Sequence, residues 1–125
     1  MFKLESYRPH FHFTAPQGWL NDPVGLVFYA DEYHLFYQHN PDDVMWGAMH
    51  WGHALSNDLL HWQHLPIALF PDKLGTIFSG SAAVDWHNTS GLGKGSDPVL
   101  VAVYTSAGEH VSPPQLYTQS LAFSL

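Results

Sequence analysis

The sequence predicts an all-β fold, and three observations support this prediction. Short segments rich in aromatic and β-branched residues recur along the 125 residues. Glycine, proline, asparagine and aspartate separate these segments. No segment shows helical periodicity bounded by a helix start signal and a stop signal. About seven strands at nearly regular spacing suit a sandwich, a barrel or propeller blades, and spacing alone leaves all three open.

The first two predicted strands form a hairpin. Residues 26–29 and 33–38 are rich in aromatic and β-branched side chains, and residues 30–32 separate them at hairpin length. The third predicted strand covers residues 50–56 and ends at the polar turn of residues 57–58.

The later strands are also bounded by turn residues. The fourth, at residues 61–65, is expected to stop at Pro66, because proline cannot donate a ladder hydrogen bond. Three further strands are predicted at residues 77–84, 99–105 and 116–123. The glycines of residues 91–96 lack the strand-to-helix context of a phosphate-binding loop, so this segment is predicted to be an ordinary loop.

Composition excludes several classes of partner. Only four residues are Lys or Arg against eleven acidic ones, so a basic nucleic-acid surface is not expected. No apolar stretch is long enough to span a membrane. Residues 1–8 lack the apolar core of a signal peptide, which leaves extracellular and cytoplasmic locations both open.

Histidine is unusually frequent, with ten copies and no cysteine. Three close pairs stand out: His10 and His12, His50 and His53, and His61 and His64. A strand spacing of three puts side chains on opposite faces, so His50 and His53 are poorly placed to share a zinc ion. His10 and His12 share a face but have no third ligand, so we predict neither a metal site nor a cofactor.

The run Trp19-Leu20-Asn21-Asp22-Pro23-Val24-Gly25 combines a carboxylate with a large aromatic ring. Asp22 precedes a proline and is therefore expected to be extended, while Gly25 permits a tight turn. An aspartate beside an aromatic ring can bind or cleave a sugar. The alternative is a turn that only begins a strand.

Three other places in the sequence are candidate ligand contacts. Trp46 follows a polar loop, which suits an exposed rim, although aromatic rings also fill all-β cores. Gln38 ends an aromatic strand, where it lines a cavity mouth or a solvated edge. Phe78-Ser79-Gly80-Ser81 places small residues in an apolar strand, which can mark close approach of a ligand or another backbone.

Taken in order, these motifs resemble the N-terminal part of glycoside hydrolase family 32, which contains invertases, levanases and inulinases. The matching runs are WLNDP at 19–23, YHLFYQHNP at 33–41, WGAMHWGHA at 46–54, SNDLLHW at 56–62 and IFSGS at 77–81. The resemblance extends from about Tyr7 to the last residue. It implies a five-bladed β-propeller, of which residues 1–125 would be the N-terminal portion of the catalytic domain, roughly its first two blades.

The resemblance also implies an activity and a set of site residues. Members of the family hydrolyse β-fructofuranosyl bonds in sucrose, inulin or levan with retention of configuration. Asp22 matches the nucleophile that forms a covalent fructosyl intermediate. The residues that match substrate contacts are Trp19, Leu20, Asn21, Gln38, Trp46, Phe78 and Ser79. Residues 74–81 favour the levanase-like, exo-acting branch, and His50 and His53 become structural residues.

The sequence departs from the family pattern in two ways. Val24 stands where the family has asparagine, and the lost amide is expected to alter substrate positioning. The family's acid/base lies in a downstream Glu-Cys motif, and a further aspartate lies in an Arg-Asp-Pro motif. This chain has no cysteine, and Ser96-Asp97-Pro98 is not the second motif. Its glutamates, Glu5, Glu32 and Glu109, lie outside the acid/base context.

We therefore expect the chain to be an incomplete propeller that does not hydrolyse substrate alone. Open blade faces and strand edges should make it associate with itself or with a missing C-terminal portion. Two alternatives remain open: a non-catalytic module that binds fructans or other carbohydrates, and a subunit that completes a propeller with another chain.

Overall fold

The structure, a computed structural model that describes residues 6–124, confirms the all-β prediction. The described part of the chain contains seven strands and one short 3₁₀ helix. The strands are β1 (Trp19–Tyr29), β2 (Glu32–Asn40), β3 (His50–Ser56), β4 (Gln63–Leu69), β5 (Thr76–Asp85), β6 (Val99–Ala107) and β7 (Thr118–Phe123). The 3₁₀ helix, Gly108–His110, follows β6 directly. No helix among these residues is long and apolar enough to cross a membrane.

The strands form two antiparallel meanders. The first sheet has the order β1-β2-β3-β4, and the second has the order β5-β6-β7. A meander of four antiparallel strands is the repeating unit of a β-propeller blade. The first sheet therefore has the form of a whole blade, and the second supplies three strands of another.

The hairpin between β1 and β2 is confirmed, but β1 begins seven residues earlier than the sequence indicated. Its loop residues Ala30 and Asp31 both have positive φ angles, 52° and 63°, as a tight two-residue hairpin turn requires. Asp22 and Pro23 therefore lie inside β1 and do not precede it. Register shifts on both sides of Pro23 and Val24 absorb the irregular backbone. As an edge strand, β1 can also accept a proline.

The prediction that the fourth strand stops at Pro66 is wrong. β4 runs through this residue to Leu69. It is the outer strand of its sheet, and Pro66 has no register partner in β3, where a register shift interrupts the pairing between Leu65 and Leu69. Proline therefore does not end an apolar strand at the edge of a sheet, although it would end a central strand.

The core lies between the two sheets. Its buried members are Val24, Phe36 and Trp51 from the first sheet and Ile77 and Tyr104 from the second. Trp51 is fully buried, and its ring lies 5.7 Å from Phe36 and 5.9 Å from Tyr104. These contacts fix the second sheet against the first, so residues on facing strands of both can form one site.

The segment before β1 covers the other face of the first sheet. Phe13 packs edge-on against Tyr37 and Trp62, at ring distances of 5.0 and 5.6 Å. Arg8 donates hydrogen bonds of 2.8 Å to the Thr14 hydroxyl and to the backbone carbonyl of Ala15. The segment thus helps to bury Tyr37, and these contacts hold the chain just before β1 against the first sheet.

Candidate active site

Asp22 and Ser79 meet across the two sheets. Both side chains are exposed, and the Ser79 hydroxyl donates a 2.8 Å hydrogen bond to Oδ2 of Asp22. Ser79 lies in a register irregularity of β5 between Ile77 and Gly80, and such bulges re-aim side chains near functional sites. Sequence reasoning proposed both residues separately, and only the packing of β5 beside β1 joins them.

Three hydrogen bonds hold this part of β5 against β2, β3 and Met49, the residue before β3. The amide nitrogen of Gln38 donates to the carbonyl of Ile77 at 2.8 Å, and the indole N–H of Trp51 donates to the carbonyl of Phe78 at 3.1 Å. The backbone N–H of Ile77 donates to the carbonyl of Met49 at 2.9 Å. Gln38 is only 3% exposed, so its amide positions β5 beside Asp22.

Trp19, Leu20 and Asn21 have different environments although they are consecutive. The Trp19 indole N–H donates to Oδ1 of Asn21 at 2.8 Å, which fixes both side chains beside Asp22. Nδ1 of His39 lies 2.8 Å from the Trp19 carbonyl, and because a carbonyl only accepts, His39 carries its proton on Nδ1. Leu20 instead packs against the buried cluster on the other face of the first sheet, so its side chain supports the motif from behind.

Four rings form what we call the aromatic rim: Trp46, Phe78, His110 and Tyr117. Phe78 lies 6.2 Å from Trp46, 5.6 Å from His110 and 6.0 Å from Tyr117, measured between ring centres. Trp46 and His110 are 5.2 Å apart. The sequence pointed to the first two rings only. The other two lie more than thirty residues downstream of Phe78, and the β5-β6-β7 register returns them to it.

Glu109 contacts two rings of the aromatic rim, Tyr117 and His110. Its carboxylate accepts a hydrogen bond from the Tyr117 hydroxyl, which raises the pKa of Tyr117, and it lies 3.5 Å from Nε2 of His110. Glu32, by contrast, begins β2 at the hairpin. Glu5 lies outside the described residues.

Of the three histidine pairs, only His50, His53 and His64 are buried or partly buried, while His10, His12 and His61 are exposed. His53 stacks between His34 and Phe36, and Nδ1 of His34 is 3.1 Å from Nε2 of His53. Burial, reinforced by the neighbouring His34, lowers the pKa of His53 to about 4. Nδ1 of His50 bonds the carbonyl of Ala48 at 2.8 Å. Within residues 6–124, no three His, Cys, Asp or Glu side chains are grouped to hold a metal ion.

Val24 does not lie beside the exposed carboxylate. Its side chain is 7% exposed and packs in the core with Phe36 and Ile77. The expectation that the amide lost at this position alters substrate positioning stays a prediction, and the structure adds that the valine side chain faces the core.

The site thus offers an exposed carboxylate, a hydroxyl donor and several aromatic rings in one place. A carboxylate of this kind can act as a nucleophile or a charge stabiliser at a sugar carbon. Exposed ring faces can pack on the C–H face of a sugar. A model of the glycosyl hydrolases family 32 N-terminal domain matches residues 12–125.

The chain belongs to glycosyl hydrolase family 32. It is 56% identical over 120 residues to a levanase of Bacillus subtilis, covering 96% of this chain and 17% of the relative. It is 52% identical over 104 residues to a fructan beta-fructosidase of Streptococcus mutans, covering 83% of this chain and 7% of the relative. This family 32 chain therefore spans less than a fifth of the length of either relative.

Solved structures agree with this assignment. The exo-inulinase of Aspergillus awamori superposes with a TM-score of 0.83 at 42% identity, covering 95% of this chain and 26% of that one. A beta-fructofuranosidase of Schwanniomyces occidentalis gives 0.81 at 44% identity, covering 94% and 23%. The predicted fold class is confirmed: the family 32 chain forms part of a five-bladed β-propeller.

Proposed function

We propose that the protein hydrolyses β-fructofuranosyl linkages in sucrose or in fructans such as levan and inulin, with retention of configuration. The observation that carries this proposal is the Asp22–Ser79 hydrogen bond beside the aromatic rim, in a chain of this family. The named activities of the levanase and the fructan beta-fructosidase support the substrate class.

In the proposed reaction Asp22 is the nucleophile. Its carboxylate attacks the anomeric carbon of the fructosyl unit, the glycosidic bond breaks, and water later releases fructose from the covalent intermediate. The Ser79 hydroxyl bonds one carboxylate oxygen, which leaves the other free to attack. Trp19 and Asn21 are hydrogen-bonded to each other beside Asp22, and both are proposed to contact the fructosyl unit.

The departing oxygen needs a proton from a second carboxyl group about 5 Å from the nucleophile. We propose that this group lies outside the 125 residues, because Glu32 begins the hairpin strand β2 and Glu109 bonds Tyr117. A general acid contributes about 10²–10⁴-fold to such a reaction, so the chain alone should be almost inactive. Release of fructose from sucrose by the chain, abolished by Asp22→Asn, would contradict this part of the proposal.

A chimera tests the nucleophile. The chain replaces the matching segment of the Bacillus subtilis levanase, and release of fructose from levan and sucrose is measured. Asp22→Asn should lower kcat by at least about 10³-fold, on the scale seen when an enzyme loses its nucleophile. Asp31→Asn is the matched control, because Asp31 is exposed in the hairpin turn and asparagine tolerates its positive φ. Equal loss in both variants, or full activity of Asp22→Asn, would refute the assignment.

The free edge of the second sheet supports the proposed association. β7 is its outer strand, and the apolar side chains of Leu121 and Phe123 are exposed there. Unpaired apolar edges pair readily with other strands. We propose that β7 pairs with further propeller strands, or with a second copy when these are absent. A purely monomeric sedimentation profile of the 125-residue chain at micromolar concentration would contradict this.

A further inference from the structure

The segment between β6 and β7 folds back tightly onto the 3₁₀ turn. The carbonyl of Gly108 accepts hydrogen bonds from the N–H groups of Val111, at 3.3 Å, and Gln115, at 2.7 Å. A Cβ on Gly108 would lie 2.6 Å from the carbonyl oxygen of Leu116, so only glycine allows this approach. The fold-back fixes where His110 and Tyr117 lie.

The rings this segment carries are arranged around Phe78. His110 contacts both Phe78 and Trp46, while Tyr117 contacts Phe78 from the β7 side. The Tyr117 hydroxyl donates to Glu109, which restrains the Tyr117 ring. Rings from the β2–β3 loop, from β5 and from the β6–β7 segment thus form one continuous surface.

Exposure distinguishes this surface from a packed core. Trp46 is 47% exposed and Tyr117 is 50% exposed, and His110 is exposed as well. Rings that served only to stabilise the segment would gain most by full burial. Half-exposed rings held by hydrogen bonds and ring contacts present a preformed apolar face to a ligand.

The surface adjoins the proposed nucleophile. Phe78 immediately precedes Ser79, whose hydroxyl bonds Asp22, and neighbouring Cα atoms are about 3.8 Å apart. We therefore expect a sugar unit joined to the one attacked at Asp22 to reach the aromatic rim. The ligand that suits this place is a neutral oligosaccharide, whose rings offer C–H faces to aromatic rings.

We propose that His110 and Tyr117 extend the site into a platform for the sugar units on the leaving-group side of a fructan. This rests on the proposed function, and it assigns to these two residues a preference for oligosaccharides over free fructose. Tyr117 supplies the outer ring face, and His110 supports the Phe78 and Trp46 rings. Glu109 accepts the hydrogen bond of the Tyr117 hydroxyl, and the preference is assigned to the ring and not to this bond.

Binding to the 125-residue chain tests the platform. Dissociation constants for fructose and for the trisaccharide 1-kestose are measured by NMR titration of the unmodified chain and its variants. Tyr117→Ala and His110→Ala should each weaken 1-kestose binding about 3–10-fold, the range expected for one aromatic contact, and leave fructose binding within about twofold. Tyr117→Phe keeps the ring and should keep the preference for 1-kestose.

Phe28→Ala is the matched control, since Phe28 is also 50% exposed but lies at the hairpin end of β1. It should leave the affinities for both sugars unchanged. Equal 1-kestose affinity in Tyr117→Ala and the unmodified chain would overturn the proposal, as would absence of 1-kestose binding. Loss of the preference in Tyr117→Phe would overturn it too, because the ring would then not be the determinant. These outcomes are separate from the chimera's kinetics, which alone decide the role of Asp22.

Discussion

Replacement of Trp51 by phenylalanine should destabilise the fold and loosen the site together. The indole is fully buried between the sheets, and its N–H donates to the carbonyl of Phe78. Trp51→Phe keeps an aromatic ring in the core but removes the five-membered ring and its donor. The carbonyl of Phe78 loses that partner, one residue before the Ser79 that bonds Asp22.

The magnitude follows from two contributions. Truncating a buried tryptophan to alanine costs about 3–5 kcal/mol, so losing roughly a third of the side chain costs about 1 kcal/mol. Leaving the partly buried carbonyl of Phe78 without this donor adds about 1–3 kcal/mol. The sum is about 3 kcal/mol of unfolding free energy, which for a chain of this length lowers Tm by about 10 °C.

Thermal unfolding followed by circular dichroism measures this loss, and the chimera reports its effect on kcat. Trp62→Phe is the control, because Trp62 packs edge-on against Phe13 away from β5. It should lower Tm clearly less and leave kcat unchanged. An unchanged Tm in Trp51→Phe, or an equal loss in both variants, would refute the view that the indole joins the two sheets.

Three further predictions follow from the contacts described above. Because burial lowers the pKa of His53 to about 4, the folded state resists protonation there. Its contribution to stability should be full above pH 6.5 and fall by about 1–2 kcal/mol, discounted for partial exposure, as pH drops towards 4. Denaturant titrations of His53→Gln should show a smaller decline than the unmodified chain, because the pKa values of His34 and His64 are lowered as well, and an equal decline would contradict the role of His53. Gly52→Ala places a Cβ 2.2 Å from Cζ of the buried Tyr37, so it should cost about 1–3 kcal/mol by urea denaturation, and an unchanged midpoint would contradict that clash. Ser79→Ala in the chimera should lower kcat/KM about tenfold through loss of the bond to Asp22, with Tm unchanged; equal kcat/KM would remove Ser79 from the site.

Local sequence patterns predicted which strands exist more accurately than where each strand begins and ends. The two hairpin strands were found from their aromatic and β-branched runs, since such side chains suit a pleated surface. The start of β1 was missed because proline and glycine at positions 23 and 25 indicate a turn unless a bulge admits them to a strand. The end of β4 was missed because Pro66 ends a central strand and is tolerated in an edge strand, a distinction no local window contains.

The candidate site was predicted only where its residues form local motifs. Trp19, Asn21 and Asp22 lie within four consecutive positions, so the sequence alone predicts that they are close together. The roles of Gln38 and Trp51 in holding β5 could not be predicted, because they depend on which carbonyls face them across the sheets. His110 was missed for the same reason, since its ring contacts depend on how the segment after β6 folds back.

By itself, the sequence determined the strand content, the absence of cysteine and the resemblance to the family, from which the proposed role of Asp22 follows, because composition and short motifs are properties of neighbouring residues. Tertiary structure alone decided that Ser79 bonds Asp22, that Val24 belongs to the core and that Tyr117 contacts Phe78. These are contacts between residues tens of positions apart, and they arise from the register of each sheet and from the burial that packs one sheet against the other.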